Sequence, residues 1–324
     1  RIYQKMLKLS IVIPAYNVEK YIANCIESCL RQDIPQNEYE LVVINDGSSD
    51  GTMQIAQTYA AKYGNLRIVE QENAGLSVAR NAGIAQARGE YIWFVDSDDT
   101  IKANVLGFLT KTAIDDHLDI LCFDISPIAK GASAGIFPGQ PEQSGRIFSG
   151  TDFITKVDMP PSACTAVFRT SFLKTNALKF TPGLLHEDFE FTPRAYCLAQ
   201  RISYVNVCAY YYLVREESIM TAQSKRRQKA SDMLRICDAL YNFAKQHLTE
   251  GSEAHKAMTR KINFAFSQSL RNYSRDVFSL DEYRRKPYYP LDVSVEGERK
   301  WRLKYRLANL SLPLYLLIHK WVKR

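Results

Sequence analysis

No stretch of this chain is apolar for long enough to cross a bilayer as a helix, which takes roughly 20 consecutive apolar residues. The opening residues RIYQKMLKLSIVIP carry no secretory pattern, and Met6 is a candidate native start. The seven cysteines are odd in number, form no C-x-x-C pair and sit mostly among apolar neighbours. Such thiols act as small buried hydrophobes, which argues against a disulfide framework or a zinc site and for a reducing compartment. No G-x-G-x-x-G follows the first apolar run, and no G-x-x-x-x-G-K-[ST] occurs. A dinucleotide oxidoreductase and a P-loop enzyme therefore lack support. No internal repeat is found. Residues 301–324 contain no Asp or Glu against six Lys or Arg.

That basic tail accounts for most of the net charge of +7, leaving +1 for the rest. A surface for nucleic acid would be spread over the folded domain, so no nucleic-acid partner is expected. With 46% hydrophobic and 24% charged residues among 324, the composition is that of an ordinary globular protein. The length suits one large domain with an appendage.

What the chain does have is alternation. LSIVIP (9–14), YELVVI (39–44), LRIVEQ (66–71) and YIWFV (91–95) read as buried strands. Between them, Ile22, Cys25, Ile26, Cys29 and Leu30 are spaced as on one helix face. A second helix, capped by Ser49 or Asp50, runs through Ile55, Tyr59 and Tyr63, and LSVARNAGIAQAR (76–88) is a third, closed by Gly89. The pattern predicts an α/β fold, a Rossmann-like, mostly parallel sheet with helices on both faces. Ligands of such sheets bind beyond the carboxyl ends of the strands. That rule collects Pro14-Ala15-Tyr16-Asn17, Asn45-Asp46-Gly47 and Asp96-Ser97-Asp98 on one rim. Farther along, 119–126 reads as a strand, 126–145 as a lid-like excursion and 201–214 as one or two strands. Helices are expected over 225–247 and near 253–275.

YIWFVDSDDT (91–100) runs a buried-looking strand into three carboxylates within four positions. Like charges this close need a positive partner. Mg²⁺ or Mn²⁺, hard ions bound through one or two carboxylates plus substrate phosphates, would supply it; a solvated turn capping the next helix is the plainer reading. On the same rim Tyr16 and Asp46 suit a nucleobase, the ring for stacking and the acid for an N–H. Packing and an Asx turn at Gly47 explain them too. Arg80, by default an exposed helical charge, is placed to aim at phosphate or base. LLHEDFEF (184–191) sets His186, Glu187 and Asp188 between apolar neighbours, with Asp188 as a helix cap or a general base. A glycoside hydrolase also pairs carboxylates, but needs no Asp-x-Asp after a fourth parallel strand.

Together, LSIVIPAYNVEKYIANCIESCLRQ, ELVVINDGSSDGT, ENAGLSVARNAGIAQARGEYIWFVDSDD and HEDFEF resemble the family 2 inverting glycosyltransferases of GT-A fold, over roughly residues 8–220. The resemblance implies a nucleotide-sugar-binding and catalytic domain over 1–220, with 221–324 as a helical extension ending in a basic amphipathic tail. It implies a nucleotide-diphosphate sugar donor, UDP-sugars first, with Mg²⁺ or Mn²⁺ as cofactor. The acceptor would be the hydroxyl of a glycan or lipid-linked molecule, as in bacterial surface-polysaccharide synthesis. By resemblance Pro14, Tyr16 and Asp46 line the base, with Asn73 and Arg80 nearby. Asp96 meets ribose or metal, Asp98 ligates the metal and Asp188 is the catalytic base. Asn45 stands where many members carry a second Asp, and Arg215 and Ser218 are candidate diphosphate contacts. Two rival readings are a catalytically silent nucleotide-sugar-binding protein and a nucleotidyltransferase. The latter would prefer a Gly-rich basic loop where PAYNVEK stands.

In the tail, Leu310, Leu312, Leu314, Leu316, Leu317 and Ile318 form an apolar stretch. Trp301, Tyr305, Tyr315 and Trp321 are residue types that settle at a headgroup boundary. The expectation is a cytoplasmic enzyme held peripherally on the anionic inner face of the cell membrane. A helix packed on the domain or on a second subunit is the alternative.

Overall fold

The computed structural model describes residues 7–128, 137–214, 225–273 and 279–322, with side chains through Ile318. Met6, Arg215, Ser218 and the Trp321 side chain lie outside that set. The chain forms two compact units, Arg1–Gly183 with Ala195–Arg215, and Leu184–Arg194 with Glu216–Arg324. The division expected at 220 falls among residues not described, and the segment carrying HEDFEF joins the second unit as far as Arg194.

Among the described residues, nine strands build one sheet in the first unit: β1 (Leu9–Ala15), β2 (Tyr39–Asp46), β3 (Leu66–Gln71), β4 (Tyr91–Phe94), β5 (Thr100–Ile101), β6 (Ile120–Ile128), β7 (Ile147–Phe148), β8 (Ala166–Arg169) and β9 (Ile202–Leu213). Their order is β3-β2-β1-β4-β8-β6-β9-β5, with β7 beside β9. The run β3-β2-β1-β4 is parallel, as is β6 with β9. Every residue of β1, β2 and β4 is buried. A sheet covered on both faces selects such unbroken apolar runs. The helix Ile22–Leu30 buries Ile22, Cys25, Ile26 and Cys29, as their spacing predicts. The helix Leu76–Gln86 lies so close to β1 that a Cβ on Gly83 would come within 2.2 Å of Val12 Cγ1. Only glycine fits there, and this contact seats the helix that carries Arg80.

Two expectations are corrected here. The chain after the expected 126–145 excursion is not loose: β8 inserts antiparallel between β4 and β6, and helices form at Gly150–Lys156 and Thr170–Thr175. Four residues, Ala166-Val167-Phe168-Arg169, are too few to show a period. Nor does the far end of the supposed lid hang free. Asp124, fully buried, accepts bonds from Tyr204 Oη (2.5 Å), Asn206 Nδ2 (2.6 Å) and the Gly139 amide (3.1 Å). Residues 202–213 form one continuous strand. All seven cysteines are free, and six are buried.

In the second unit the helices Arg226–His247 and Glu253–Arg271 bury Met233, Ile236, Cys237 and Leu240 on one, and Met258, Ile262, Ala265 and Phe266 on the other. The tail folds into the helices Arg299–Leu310 and Leu312–Val322. Tyr305 and Tyr315 are buried with Leu312, so those two rings serve packing and not a headgroup layer. Leu303, Leu310, Leu314, Leu317 and Ile318 are exposed. Among the described residues no helix is long and apolar enough to cross a membrane.

Candidate active site

Parallel pairing brings the carboxyl ends of β1, β2, β3 and β4 to one rim, with Pro14 opposite Ile44 and Asp46 opposite Gln71. Tyr16, just beyond β1, is half exposed, as a stacking platform requires. The Asx-type turn at the end of β2 is made by Asn45, not Asp46: Asn45 Oδ1 accepts the Ser48 amide at 3.0 Å. Asp46 is buried and has another task. Its Oδ1 accepts from Gln71 Nε2 (2.7 Å) and the Ala74 amide (2.9 Å), and its Oδ2 from the Gly75 amide (2.9 Å). The carboxylate thus shapes the loop holding Asn73, which is exposed, and Oδ2 keeps acceptor capacity for a base N–H. Gly47 has φ +72, and a Cβ on it would lie 2.9 Å from the Asn73 amide nitrogen, so glycine lets the two loops touch.

Arg80 is not the exposed charge expected by default. It is 1% exposed, and its Nη2 donates to Asp96 Oδ1 at 2.7 Å. Phe180 lies under the guanidinium at 5.2 Å from the ring centroid. One of the three crowded carboxylates is thereby neutralised by the chain itself. A second, Asp99, turns inward: Tyr210 Oη donates to its Oδ2 at 2.6 Å and the Leu213 amide to its Oδ1 at 2.8 Å. Burial, with the charges of Asp96 and Asp98, pushes the Asp99 carboxyl up to about 8. Asp98 is half-buried.

The HEDFEF motif begins at His186, whose φ is +62, and leads into the helix Asp188–Leu198. The Glu187 carbonyl accepts the Phe191 amide at 2.9 Å, and Asp188 stands in the first turn, where the helix dipole favours a carboxylate. Glu190, buried, pairs with Arg194 at 2.5 Å and 2.9 Å. Burial and the nearby Lys229 lower the His186 pKa. Asp188 belongs to the second unit; Pro14, Tyr16, Asp46, Asn73, Arg80, Asp96 and Asp98 belong to the first.

The model of the glycosyl transferase family 2 matches residues 10–175. The chain belongs to that family. It is 34% identical over 316 residues to the poly(ribitol-phosphate) beta-N-acetylglucosaminyltransferase TarS of Staphylococcus aureus (strain MW2), covering 94% of this chain and 54% of that protein. It is 33% identical over 215 residues to the poly(ribitol-phosphate) beta-glucosyltransferase of Bacillus spizizenii, covering 65% of this chain and 33% of that one. The chain thus spans about half or less of the length of these curated relatives. The crystal structure of S. aureus TarS 1–349 with UDP-GlcNAc superposes with a TM-score of 0.68 at 26% identity, covering 98% and 92% of the two chains. A mannosyltransferase from Pyrobaculum calidifontis with GDP-Man and Mn²⁺ gives 0.55 at 16% identity, covering 98% and 88%, and shows the fold alone. The α/β sheet is therefore a GT-A fold, as expected from the motifs.

The chemistry of the rim fits a divalent cation of this family. Among the described residues no cluster of three or more His, Cys, Asp or Glu could hold a metal unaided. Asp96 and Asp98 offer hard oxygens on one turn, and Mg²⁺ commonly takes one or two carboxylates and completes its shell with substrate phosphates and water. A cavity lined by Tyr39, Glu40, Asn65, Arg67 and Arg88 lies at the amino ends of β2 and β3 and contains none of these residues. Gln71, Phe180, Asp99 and Tyr210 were not assigned roles from sequence. Only Asp99 had a local signal, the third charge of its cluster.

Proposed function

We propose that this chain transfers a sugar from a UDP-sugar to an acceptor hydroxyl with inversion at the anomeric carbon. The observation that carries the reading is the Arg80–Asp96 pair beside Asp98 on the carboxyl rim of a family 2 domain. Tyr16 stacks on the base, Asp46 accepts its N–H, and the Pro14 and Asn73 loops line it. Asp98, with Asp96 beside it, holds Mg²⁺ or Mn²⁺, which when bound offsets the charge of the departing diphosphate. Asp188 accepts the acceptor proton while the oxygen forms its bond to the anomeric carbon. The bond from that carbon to the diphosphate oxygen breaks on the opposite face, so one displacement inverts the centre.

The similarity to TarS makes UDP-GlcNAc the first donor to test and a poly(ribitol phosphate) the first acceptor. Positive charge for such an anionic chain is present in the unit that carries Asp188, at Lys225, Arg226 and Arg227. Work on an acceptor assembled at the cell envelope also suits a cytoplasmic enzyme resting on the membrane surface, and the exposed leucines of the tail support that placement.

The deciding experiment follows UDP release from a panel of UDP-, GDP- and dTDP-sugars, with Mn²⁺ and with or without poly(ribitol phosphate). Acceptor-dependent UDP release is expected. It is abolished by Asp98→Asn, which also loses metal-dependent UDP affinity. It falls roughly a hundredfold or more in Asp188→Asn, which still binds donor. Donor binding without turnover in the wild type would show a silent binding protein instead. Native-rate transfer by Asp188→Asn would pass the role of base to Glu187.

A further inference from the structure

We propose that Tyr210 is a positioning residue for the Asp96-Ser97-Asp98 turn, acting through Asp99; this rests on the metal reading above. Tyr210 sits on β9, 1% exposed. Its hydroxyl accepts the Asp96 amide N–H at 3.1 Å and donates to Asp99 Oδ2 at 2.6 Å. The Asp99 amide donates to the Asp96 carbonyl at 3.0 Å, closing the turn on itself. One phenol oxygen therefore grips both ends of a four-residue turn. The second Asp99 oxygen takes the Leu213 amide at 2.8 Å, and β5, which follows the turn, pairs with β9 through Thr100 and Tyr211.

A phenylalanine would fill the same buried volume, so packing alone does not explain the hydroxyl. Both hydrogen-bond partners of that oxygen belong to the turn. With Asp99 drawn inward and the Asp96 backbone pinned, the turn sets Asp96 and Asp98 on the rim side. Asp96 is balanced by Arg80, and the latch fixes where the Asp98 carboxylate stands beside that pair. Outer-shell groups of this kind typically change metal affinity or activity by about 10–100-fold when removed.

The test compares Tyr210→Phe with Tyr91→Phe. Tyr91 is an equally buried phenol in the same sheet, whose hydroxyl bonds to the Ala113 and Leu118 carbonyls, each at 2.7 Å. UDP binding is followed by calorimetry across a Mn²⁺ titration, together with the thermal midpoint of each variant. Tyr210→Phe is expected to need about tenfold or more Mn²⁺ for half-maximal UDP binding, with turnover recovering at high Mn²⁺. Tyr91→Phe is expected to lose stability without moving the Mn²⁺ requirement. A wild-type titration curve for Tyr210→Phe, or an equal shift in both variants, would overturn the assignment. Wild-type UDP binding that ignores Mn²⁺ would instead overturn the metal reading itself, before any substitution is compared.

Discussion

Arg80 Nη2 lies 2.7 Å from Asp96 Oδ1, with the guanidinium buried and the carboxylate one-third open to solvent. A nucleotide that reaches this rim meets an acid already balanced by a base, held above the Phe180 ring. Removing the arginine strands the acid and empties a filled site. Arg80→Gln is therefore expected to cost about 1–3 kcal/mol in urea unfolding. UDP affinity should fall with it, whereas Asp96→Asn should lose affinity with a smaller stability cost. Native UDP binding by Arg80→Gln, measured by calorimetry, would remove Arg80 from the site.

Gly47→Ala tests the link between the Asp46 and Asn73 loops. The added methyl would stand 2.9 Å from the Asn73 amide nitrogen, at a φ of +72 that L residues rarely adopt. A cost above about 1 kcal/mol is expected, since both strain and contact act together. The Asn73 loop must shift, so UDP affinity should fall more than in an alanine replacement at the exposed Gly64, where a Cβ meets nothing. Equal affinity in the two variants would show that the loop contact is irrelevant to nucleotide.

Glu40 supplies a pH test at the other end of β2. Burial raises its pKa, but Arg67 Nε (2.8 Å), Ser10 Oγ (2.6 Å) and the Arg88 amide (2.9 Å) outweigh that and leave it lowered. A lowered folded-state pKa gives stability that is present above the unfolded-state value and is lost as pH falls through the folded one. The urea midpoint of the wild type should therefore drop as the pH falls below the ordinary glutamate range. Glu40→Gln should be less stable at neutral pH and show a shallower acid decline. Parallel acid limbs in the two proteins would exclude Glu40 as a source of the decline.

The tail predicts reversible binding to anionic vesicles. Leu303, Arg306 and Leu310 follow one face of the helix Arg299–Leu310, and Leu314, Leu317 and Ile318 follow one face of the next helix, all exposed. Apolar and basic groups on one face suit an anionic interface, where each basic residue is worth about 1 kcal/mol. Flotation with phosphatidylserine-containing vesicles should weaken with salt. It should be lost in the double variant Leu314→Glu, Leu317→Glu, with UDP binding intact. Equal flotation of both proteins would rule these residues out as the contact.

The rim of the site was legible because its signals are local. A β-branched run followed by Asp or Asn states that a strand ends, and parallel alternation states that such ends share a side. Pro14, Tyr16, Asp46, Asp96 and Asp98 could therefore be gathered without a structure, and the motif set pointed to the family that the comparisons show. The tail was half legible. Its apolar residues were visible, but Tyr305 and Tyr315 could not be told from surface aromatics until packing buried them.

Partners remote in sequence were decided by the tertiary structure alone. The hydroxyl that grips the Asp turn comes from 114 residues beyond Asp96, and nothing near Tyr210 in β9 marks it apart from the other tyrosines of that strand. Strand β8 is four residues long, too short for periodicity, yet it joins the two halves of the sheet. Local sequence determines where a strand ends and which groups it offers there. Which offered charge is paired, buried or left for a ligand depends on contacts made only when distant segments pack, because a carboxylate's state is set by its neighbours in space.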